Sequence, residues 1–230
     1  HMAARAPRLL PRRRGHRLVP ARRGRRIDLQ RALREQARHD GDAVRLPRRR
    51  RKLRQRRILL LIDVSGSMKA RTDAHLRFAH ALARAADRIE IFTMGTRLTR
   101  VTRAMRLRMR TQALAEASQT VADWDGGTRL GDALAAFLGV PRFAAAARGA
   151  LVLVLSDGLE RGDPSVLVDA VRRLSRLAWR IAWLSPLVTA GEAPQTEAMR
   201  AVRPMLHDLV PGGTTAALVA HILHERREAA

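Results

Sequence analysis

Residues 58–68 read Ile-Leu-Leu-Leu-Ile-Asp-Val-Ser-Gly-Ser-Met, an aliphatic run that ends in small polar side chains. Continuous aliphatic runs of this length are typical of parallel strands that are covered on both faces. Three oxygen-bearing side chains, Asp63, Ser65 and Ser67, follow at alternate positions, and Gly66 permits a tight turn among them. Because ligands of parallel sheets bind at the carboxyl ends of the strands, this stretch predicts a ligand site there.

The rest of the sequence outward from this stretch alternates strand-length apolar runs with segments of helical periodicity. Further strands are predicted at residues 88–94, 98–101, 150–155, 180–184 and 205–209, and helices at residues 74–86, 109–121, 132–138, 164–177, 197–202 and 215–224. The repeated order of strand and helix predicts an α/β fold with a doubly wound, mainly parallel sheet flanked by helices.

Two later segments supply further oxygen ligands. Residues 124–128 read Trp-Asp-Gly-Gly-Thr, a glycine-rich loop that leaves the hydroxyl of Thr128 accessible to a metal ion. The apolar run at residues 151–155 ends in Ser156-Asp157-Gly158, which places a second carboxylate at an equivalent strand end. Five oxygen side chains are therefore expected to converge, and hard oxygen ligands suit Mg²⁺, with Mn²⁺ or Ca²⁺ as substitutes in vitro. An ordinary Asp/Ser helix cap is the structural alternative for the first of these segments.

The positive charge is concentrated at the amino terminus. The chain has 45 Lys and Arg against 21 Asp and Glu, and residues 1–57 contain 22 of the basic and 4 of the acidic side chains. We therefore expect an arginine-rich N-terminal arm, residues 1–57, followed by a domain at residues 58–230. Within the arm, residues 27–37 could form a short helix capped by Asp28.

The arm leaves two functional interpretations open. Arginine clusters neutralise phosphates, so a nucleic-acid-binding protein is the alternative function. The arm contains no aromatic residue for base stacking and no Arg-Gly-Gly repeat, which makes nucleic acid the weaker interpretation. Docking on the chain's own domain, or on an acidic partner, is the interpretation we favour.

The motifs together resemble a known protein family. The pattern Asp63-x-Ser65-x-Ser67 with Thr128 and Asp157 resembles the metal-ion-dependent adhesion site (MIDAS) of von Willebrand factor type A (VWA) domains. Further motifs are similar to the CoxE-like branch of these domains, and they lie at residues 20–26, 92–99, 124–131, 156–164 and 183–187. The similarity extends from about residue 20 to the last predicted helix.

The resemblance implies a fold, a ligand set and a role. The fold would be the Rossmann-like VWA domain, in which Ser65 and Ser67 bind Mg²⁺ directly. Thr128 would bind it directly or through water, and Asp63 and Asp157 largely through water. The open coordination position would accept an acidic side chain of a partner protein. Residues that border this site are the candidates for partner binding, namely Trp124, Gly126, Gly127 and Arg129; packing beneath the metal loops is the alternative for Trp124.

CoxE-like proteins are associated with MoxR-type AAA+ ATPases. The resemblance thus implies a non-enzymatic, Mg²⁺-dependent adaptor that helps the ATPase to mature a client metalloenzyme such as a molybdenum-containing carbon monoxide dehydrogenase. The sequence has no Walker A motif, so we expect ATP hydrolysis to come from the partner.

Several other classes of function are disfavoured by the sequence. The chain has no cysteine, which excludes disulfides, thiolate metal sites and cysteine nucleophiles. A metal-dependent hydrolase would need a general base, and none of the eight histidines lies in a metal-loop motif. No apolar run approaches the roughly 20 residues of a membrane span, and the amino terminus lacks the apolar stretch of a signal peptide. We therefore expect a cytoplasmic protein.

Overall fold

The computed structural model describes residues 10–38, 46–121, 129–188 and 196–228, with side chains up to residue 222 in the last segment. The chain divides into two compact units. One comprises Arg12–Arg54 and is called the basic unit below; the other is formed mainly from Gln55 onward and is called the larger unit. The assignment of residues 1–57 and 58–230 as functional domains stays a prediction.

The basic unit contains a small sheet and one helix. Its elements are β1 (Arg12–Ala21), β2 (Arg26–Ile27), α1 (Leu29–Arg38) and β3 (Arg48–Gln55), and the strand order is β1-β3-β2. The helix expected at residues 27–37 is therefore present. Asp28 precedes it, and its Oδ1 accepts a hydrogen bond from the backbone N–H of Arg31 at 3.4 Å. This contact satisfies one of the free N–H groups in the first turn, as expected for a cap.

The larger unit has the predicted α/β architecture. Its elements are β4 (Ile58–Asp63), α2 (Lys69–Ala85), β5 (Ile89–Met94), β6 (Leu98–Arg100), α3 (Thr102–Met105), α4 (Arg110–Thr120), α5 (Leu130–Gly139), α6 (Pro141–Ala147), β7 (Leu151–Leu155), α7 (Pro164–Leu177), β8 (Arg180–Ser185), α8 (Glu197–Val202), β9 (Asp208–Pro211) and α9 (Thr215–Glu228). The six strands are ordered β6-β5-β4-β7-β8-β9. All neighbouring pairs are parallel except β5 and β6, which are antiparallel.

Alternate residues of β4 serve two separate hydrophobic layers. Ile58, Leu60 and Ile62 pack in the layer that contains side chains of α2, α4 and α9. Leu59 and Leu61 pack in the layer that contains side chains of α5, α7 and α8. All five side chains have no exposed surface. The continuous aliphatic run is explained by this arrangement, because a strand covered on both faces has no polar side.

Several elements differ from the sequence-based expectations. The helix α2 begins at Lys69, five residues before the predicted start at residue 74, and α6 was not predicted. The last strand lies at Asp208–Pro211 instead of residues 205–209, because Arg203–Met205 form a 3₁₀ turn. Pro204 in that turn cannot donate a hydrogen bond to a sheet.

No single helix among the described residues is both long and apolar enough to cross a bilayer. Taken together, α5 and α6 have the length and composition that a membrane span requires, with a bend of 104° between the two helices.

A close approach between α5 and α7 depends on a glycine. A Cβ at Gly131 would lie 2.7 Å from the backbone nitrogen of Leu167. We expect Gly131→Ala to lower the free energy of unfolding by about 1–3 kcal/mol, because backbone must move to accommodate the methyl group. Gly139 ends the same helix with no atom within 4 Å of its own hypothetical Cβ, so Gly139→Ala is the matched control. Urea unfolding measures both; equal effects of the two substitutions would contradict the prediction.

Candidate metal centre

Asp63 and Asp157, two of the predicted ligands, lie at the switch point of the sheet. The chain leaves β4 toward β5 on one side and later returns to β7, which pairs with β4 on the other side. Asp63 is the last residue of β4, and Ser156 and Asp157 directly follow β7. Because these two strands are parallel neighbours, their carboxyl ends meet at the crevice where ligands bind in open α/β sheets.

The Asp63 carboxylate is buried and held from two directions. Its side chain is 1% exposed. Oδ1 accepts a hydrogen bond from the backbone N–H of Ser65 at 2.9 Å, and Oδ2 accepts one from the hydroxyl of Ser156 at 2.7 Å. The Ser156 hydroxyl in turn accepts a bond from the N–H of Gly158 at 3.0 Å. Asp63 therefore connects the loop that follows β4 with the loop that follows β7.

The two serine hydroxyls lie side by side at this edge. The Oγ atoms of Ser65 and Ser67 are 3.2 Å apart. Ser65 is buried, whereas Ser67 lies in the short 3₁₀ turn Gly66–Met68 and is exposed to solvent. The pair therefore offers two hard oxygen donors between a buried carboxylate and the solvent.

Asp157 is fixed by its own loop. It is 3% exposed, and its Oδ1 accepts a hydrogen bond from the N–H of Leu159 at 3.0 Å. The next residue, Gly158, has a φ of 77°, a backbone conformation that residues other than glycine rarely adopt. The turn thus requires the glycine that follows the carboxylate in the motif.

The electrostatics of these loops favour a cation. Burial raises the pKa of the Asp63 carboxyl above its usual value; hydrogen bonds from Ser156 and Ser65 offset part of this rise, and the negative charge of Asp157 adds to it. Within the described residues, neither carboxylate forms an ion pair with a basic side chain. Two buried carboxylates without a basic partner are a costly arrangement that a divalent ion would stabilise.

The donor set fits a hard divalent cation. No cluster of three or more His, Asp or Glu side chains suited to a metal occurs in the part of the chain that the structure describes. A metal at this edge would consequently depend on serine hydroxyls beside the two carboxylates, which are the oxygen donors that Mg²⁺ accepts. Asp63, Ser65, Ser67 and Asp157 are the described residues that would hold it.

Trp124, Gly126, Gly127 and Thr128 lie outside the described residues. Arg129 is exposed, and its Nη1 lies 3.6 Å from Oδ2 of Asp132, one helical turn away. Its role in partner binding stays a prediction.

Two residues that hold the site together were not predicted as functional. Ser156 was recognised only as part of a motif, although its hydroxyl bridges the two loops. Glu160 accepts hydrogen bonds from the N–H of Gly131 at 2.7 Å and of Gly162 at 2.6 Å, so it ties the loop after β7 to the start of α5. The signal available in the sequence was the position of both residues within the run at 156–164. The partners that make them bridges, Asp63 for Ser156 and Gly131 for Glu160, are distant in sequence and could not be read from it.

Removal of the Ser156 hydroxyl is expected to weaken metal binding indirectly, through the Asp63 carboxylate that this hydroxyl orients. Ser156→Ala leaves Oδ2 of Asp63 without its donor, and we expect Mg²⁺ affinity to fall by about 10- to 100-fold, as for other groups that orient ligands. Thr102→Val is the control, because the Thr102 hydroxyl donates to Glu90 at 2.9 Å, far along β5 from the candidate centre. Isothermal titration with Mg²⁺ distinguishes them; equal losses of affinity would refute the bridging role.

A comparison with known protein families identifies the family of the chain. The family described as "VWA domain containing CoxE-like protein" matches residues 2–218 of the chain. The chain belongs to the CoxE-like VWA family. Domains of the VWA type are generally non-catalytic interaction modules. No curated protein matches the sequence of this CoxE-like VWA protein.

Solved structures resemble the CoxE-like VWA protein at low sequence identity. The conserved hypothetical protein BatB from Bacteroides thetaiotaomicron has 12% identity and a TM-score of 0.50, over 75% of this chain and 98% of that one. The SpRpn10 VWA domain has 14% identity and a TM-score of 0.46, over 74% and 94%. Proximal thread matrix protein 1 from the mussel byssus, with a zinc-occupied MIDAS motif, has 12% identity and a TM-score of 0.49, over 74% and 48%. At such identities the likeness to BatB shows the fold alone.

Proposed function

We propose that this CoxE-like VWA protein is a non-enzymatic, Mg²⁺-dependent adaptor. Asp63, Ser65, Ser67, Thr128 and Asp157 hold the ion in this proposal, and an acidic side chain of a partner completes its coordination. When bound, the cation supplies an electrophilic centre for that carboxylate. The proposal assigns contact with the partner to Trp124, Gly126, Gly127 and Arg129.

The observation that carries the proposal is the asymmetry of the described ligands. Asp63 and Asp157 are buried and fixed by hydrogen bonds, whereas the hydroxyl of Ser67 lies at the surface beside that of Ser65. Rigid buried carboxylates position the site, and the exposed side gives a partner access to it. Such an arrangement suits capture of a second protein better than enclosure of a small substrate.

The environment of the buried histidines supports a non-catalytic role. A hydrolase needs a general base within hydrogen-bond reach of its substrate. His75 and His80 are buried on α2, and their Nε2 atoms contact the backbone carbonyls of Gly212 at 3.1 Å and Leu107 at 2.9 Å. These contacts are those of packing residues.

The partners that we propose follow from the family. A MoxR-type AAA+ ATPase supplies ATP hydrolysis, and the client is a metalloenzyme, with molybdenum-containing carbon monoxide dehydrogenase as the leading candidate. The complex works in the cytoplasm. Mg²⁺ is the expected ion, and Mn²⁺ or Ca²⁺ would replace it in vitro.

Capture of partners on the immobilised protein tests the proposal. We expect a MoxR-type ATPase or its client to bind in Mg²⁺ and to be released by a chelator. Asp63→Ala and Ser65→Ala should each abolish capture while the domain stays folded. Asp73→Ala is the control, since Asp73 is an exposed carboxylate on α2 that pairs with Arg77 at 2.8 Å. Capture that survives both chelation and the Asp63 substitution would contradict the proposed adaptor mechanism.

A further inference from the structure

The basic unit contains a cavity that the proposed metal-dependent function does not use. The cavity has a volume of about 740 Å³ and is lined by Arg14, Leu18, Arg23, Gly24, Arg25, Arg26, Arg49, Arg50, Arg51 and Leu53. All of these residues belong to the basic unit. Volumes between about 300 and 1,000 Å³ are typical of ligand pockets.

The charge of this cavity is largely uncompensated within the described part of the unit. Asp28 and Glu35 are its two described carboxylates, and each is already paired. Oδ2 of Asp28 lies 2.5 Å from Nε of Arg49, and Oε1 of Glu35 lies 2.8 Å from Nε of Arg31. The other six arginines that line the cavity form no ion pair with a described carboxylate. A ligand with several negative charges would relieve their mutual repulsion.

The walls of the cavity are held in place by the backbone. Gly24 lies against β3 so closely that a Cβ at this position would overlap the carbonyl group of Arg49. Nη1 of Arg48 donates a hydrogen bond to the carbonyl oxygen of Gly24 at 3.2 Å, and Arg26 pairs with Arg49 across the β2–β3 ladder. The loop that carries Arg23 and Arg25 is therefore fixed to the sheet, which lowers the entropy cost of binding.

The chemistry of the lining identifies the class of ligand. Leu18 and Leu53 contribute apolar surface between the guanidinium groups, and Leu53 is 43% exposed. Arginine binds carboxylates with two parallel hydrogen bonds, so the lining suits acidic groups that flank an aliphatic one. The unit has no aromatic residue on which a nucleic acid base could stack.

From these features we infer that the arginine cavity binds a linear acidic segment of a partner protein, in which an aliphatic side chain lies between carboxylates. Recognition of acidic motifs by arginine clusters is a recurring mode of peptide binding. This second contact is separate from the metal centre and does not need Mg²⁺.

Fluorescence anisotropy with the full chain tests this inference. The probe is a labelled peptide of alternating glutamate and leucine, measured in a chelator at physiological ionic strength. We expect the peptide to bind, and we expect a peptide with serine in place of leucine to bind about tenfold more weakly, because it loses apolar burial. A thymidine oligonucleotide should compete less well than the leucine peptide.

A pair of charge-matched double variants separates the cavity from general charge. Arg14→Glu with Arg51→Glu reverses two lining residues, one on β1 and one on β3. Arg17→Glu with Lys52→Glu makes the same change in net charge at exposed positions of the same strands that do not line the cavity. We expect the first variant to weaken peptide binding by at least about tenfold and the second by less than about threefold.

The double variant Arg14→Ala with Arg51→Ala controls for loss of fold, because removal of two positive charges reduces repulsion within the unit. It should also weaken peptide binding, as the Arg14→Glu with Arg51→Glu variant does. Equal weakening by both charge-reversal variants would overturn the inference, since it would indicate diffuse charge attraction. An unchanged affinity for the serine peptide, or tighter binding of the oligonucleotide, would overturn it as well. Binding that is unaffected by Asp63→Ala distinguishes this site from the metal centre.

Discussion

Asp63→Asn is expected to abolish the stabilisation that Mg²⁺ gives the protein, while the metal-free domain stays at least as stable as the wild type. The carbonyl oxygen of the asparagine can accept the hydrogen bond from the N–H of Ser65. Its amide group can donate to the Ser156 hydroxyl, which then acts as acceptor instead of donor. It carries no charge into the 1% exposed position, so we expect a gain on the order of 1 kcal/mol in the metal-free state. Thermal unfolding with and without Mg²⁺ measures both quantities.

The expected loss in the presence of metal is larger than this gain. A ligand at 100 times its Kd stabilises the folded state by about 2.7 kcal/mol, and a variant that cannot bind loses all of it. The control is Asp73→Asn, which changes an exposed carboxylate on α2 and should keep the full Mg²⁺ effect. A metal-free Asp63→Asn protein that is destabilised, or one that is still stabilised by Mg²⁺, would contradict the assignment of Asp63.

The pH dependence of the same comparison has a defined sign. Burial raises the folded-state pKa of Asp63 above its unfolded value, so its contribution to stability is fully present below the unfolded pKa and is lost as pH rises through the folded pKa. The metal-free advantage of Asp63→Asn should therefore be largest at neutral pH and should shrink as pH falls. Mg²⁺ affinity of the wild type should fall over the same interval, because the ion binds the ionised carboxylate.

Trp183 is expected to be the largest single contributor to the packing that supports the metal centre. Its side chain is fully buried on β8, and its Nε1 donates to the carbonyl oxygen of Ser156 at 3.1 Å. Trp183→Ala should lower the free energy of unfolding by about 3–5 kcal/mol, since it leaves a cavity under the loop that follows β7. Trp183→Phe keeps most of the side-chain volume but loses the hydrogen bond to Ser156. We expect this loss to lower the free energy of unfolding by about 1–3 kcal/mol.

Trp179 provides the matched comparison. It is half-buried, and the guanidinium of Arg56 lies 3.8 Å from its ring centroid. Trp179→Phe removes an indole of the same size but leaves the carbonyl of Ser156 satisfied, so its effect on Mg²⁺ affinity should be small. Urea unfolding combined with Mg²⁺ titration measures both variants. Trp183→Phe should lower Mg²⁺ affinity more than Trp179→Phe does, because only the first leaves the carbonyl of Ser156 without its donor; equal effects would contradict the link between β8 and the metal loops.

The fold of the larger unit could be predicted because its strands are buried on both faces. The runs at residues 58–62 and 151–155 are aliphatic throughout, the run at residues 180–184 is apolar after Arg180, and the structure has strands at all three positions. The short helix α6 escaped prediction, because its sequence Pro-Arg-Phe-Ala-Ala-Ala-Ala is too short for helical periodicity to emerge. The residues at which β9 begins and ends could not be predicted either, because the 3₁₀ turn at Arg203–Met205 shifts the strand to Asp208–Pro211.

The basic unit shows the limit of hydropathy patterns. In β3, which reads Arg-Arg-Arg-Arg-Lys-Leu-Arg-Gln, no alternation of apolar and polar residues indicates a strand. Such a strand is stabilised by backbone hydrogen bonds and by contacts such as that of Gly24 with Arg49, which composition does not reveal. The pattern of charge predicted where the basic segment lies but not that it contains a cavity.

The positions of the two carboxylates could be predicted from the sequence, whereas the contacts that hold them could not. Strand ends and residue chemistry select Asp63, Ser65, Ser67 and Asp157, and the structure places Asp63 and Asp157 at adjacent strand ends; their role as metal ligands stays a prediction. The bridging by Ser156 and Glu160 arises only when loops more than 25 residues apart meet in three dimensions. Sequence spacing carries no information about such contacts.

Isothermal titration of Mg²⁺ into the metal-free full chain tests the central claim most directly. We predict one bound ion per chain in the wild type and no measurable binding in Asp63→Ala, Asp157→Ala or the double variant Ser65→Ala with Ser67→Ala. Asp73→Ala should bind as the wild type does. Wild-type protein that takes up no divalent ion, or variants that bind it with unchanged affinity, would contradict the claim that these loops form a metal centre.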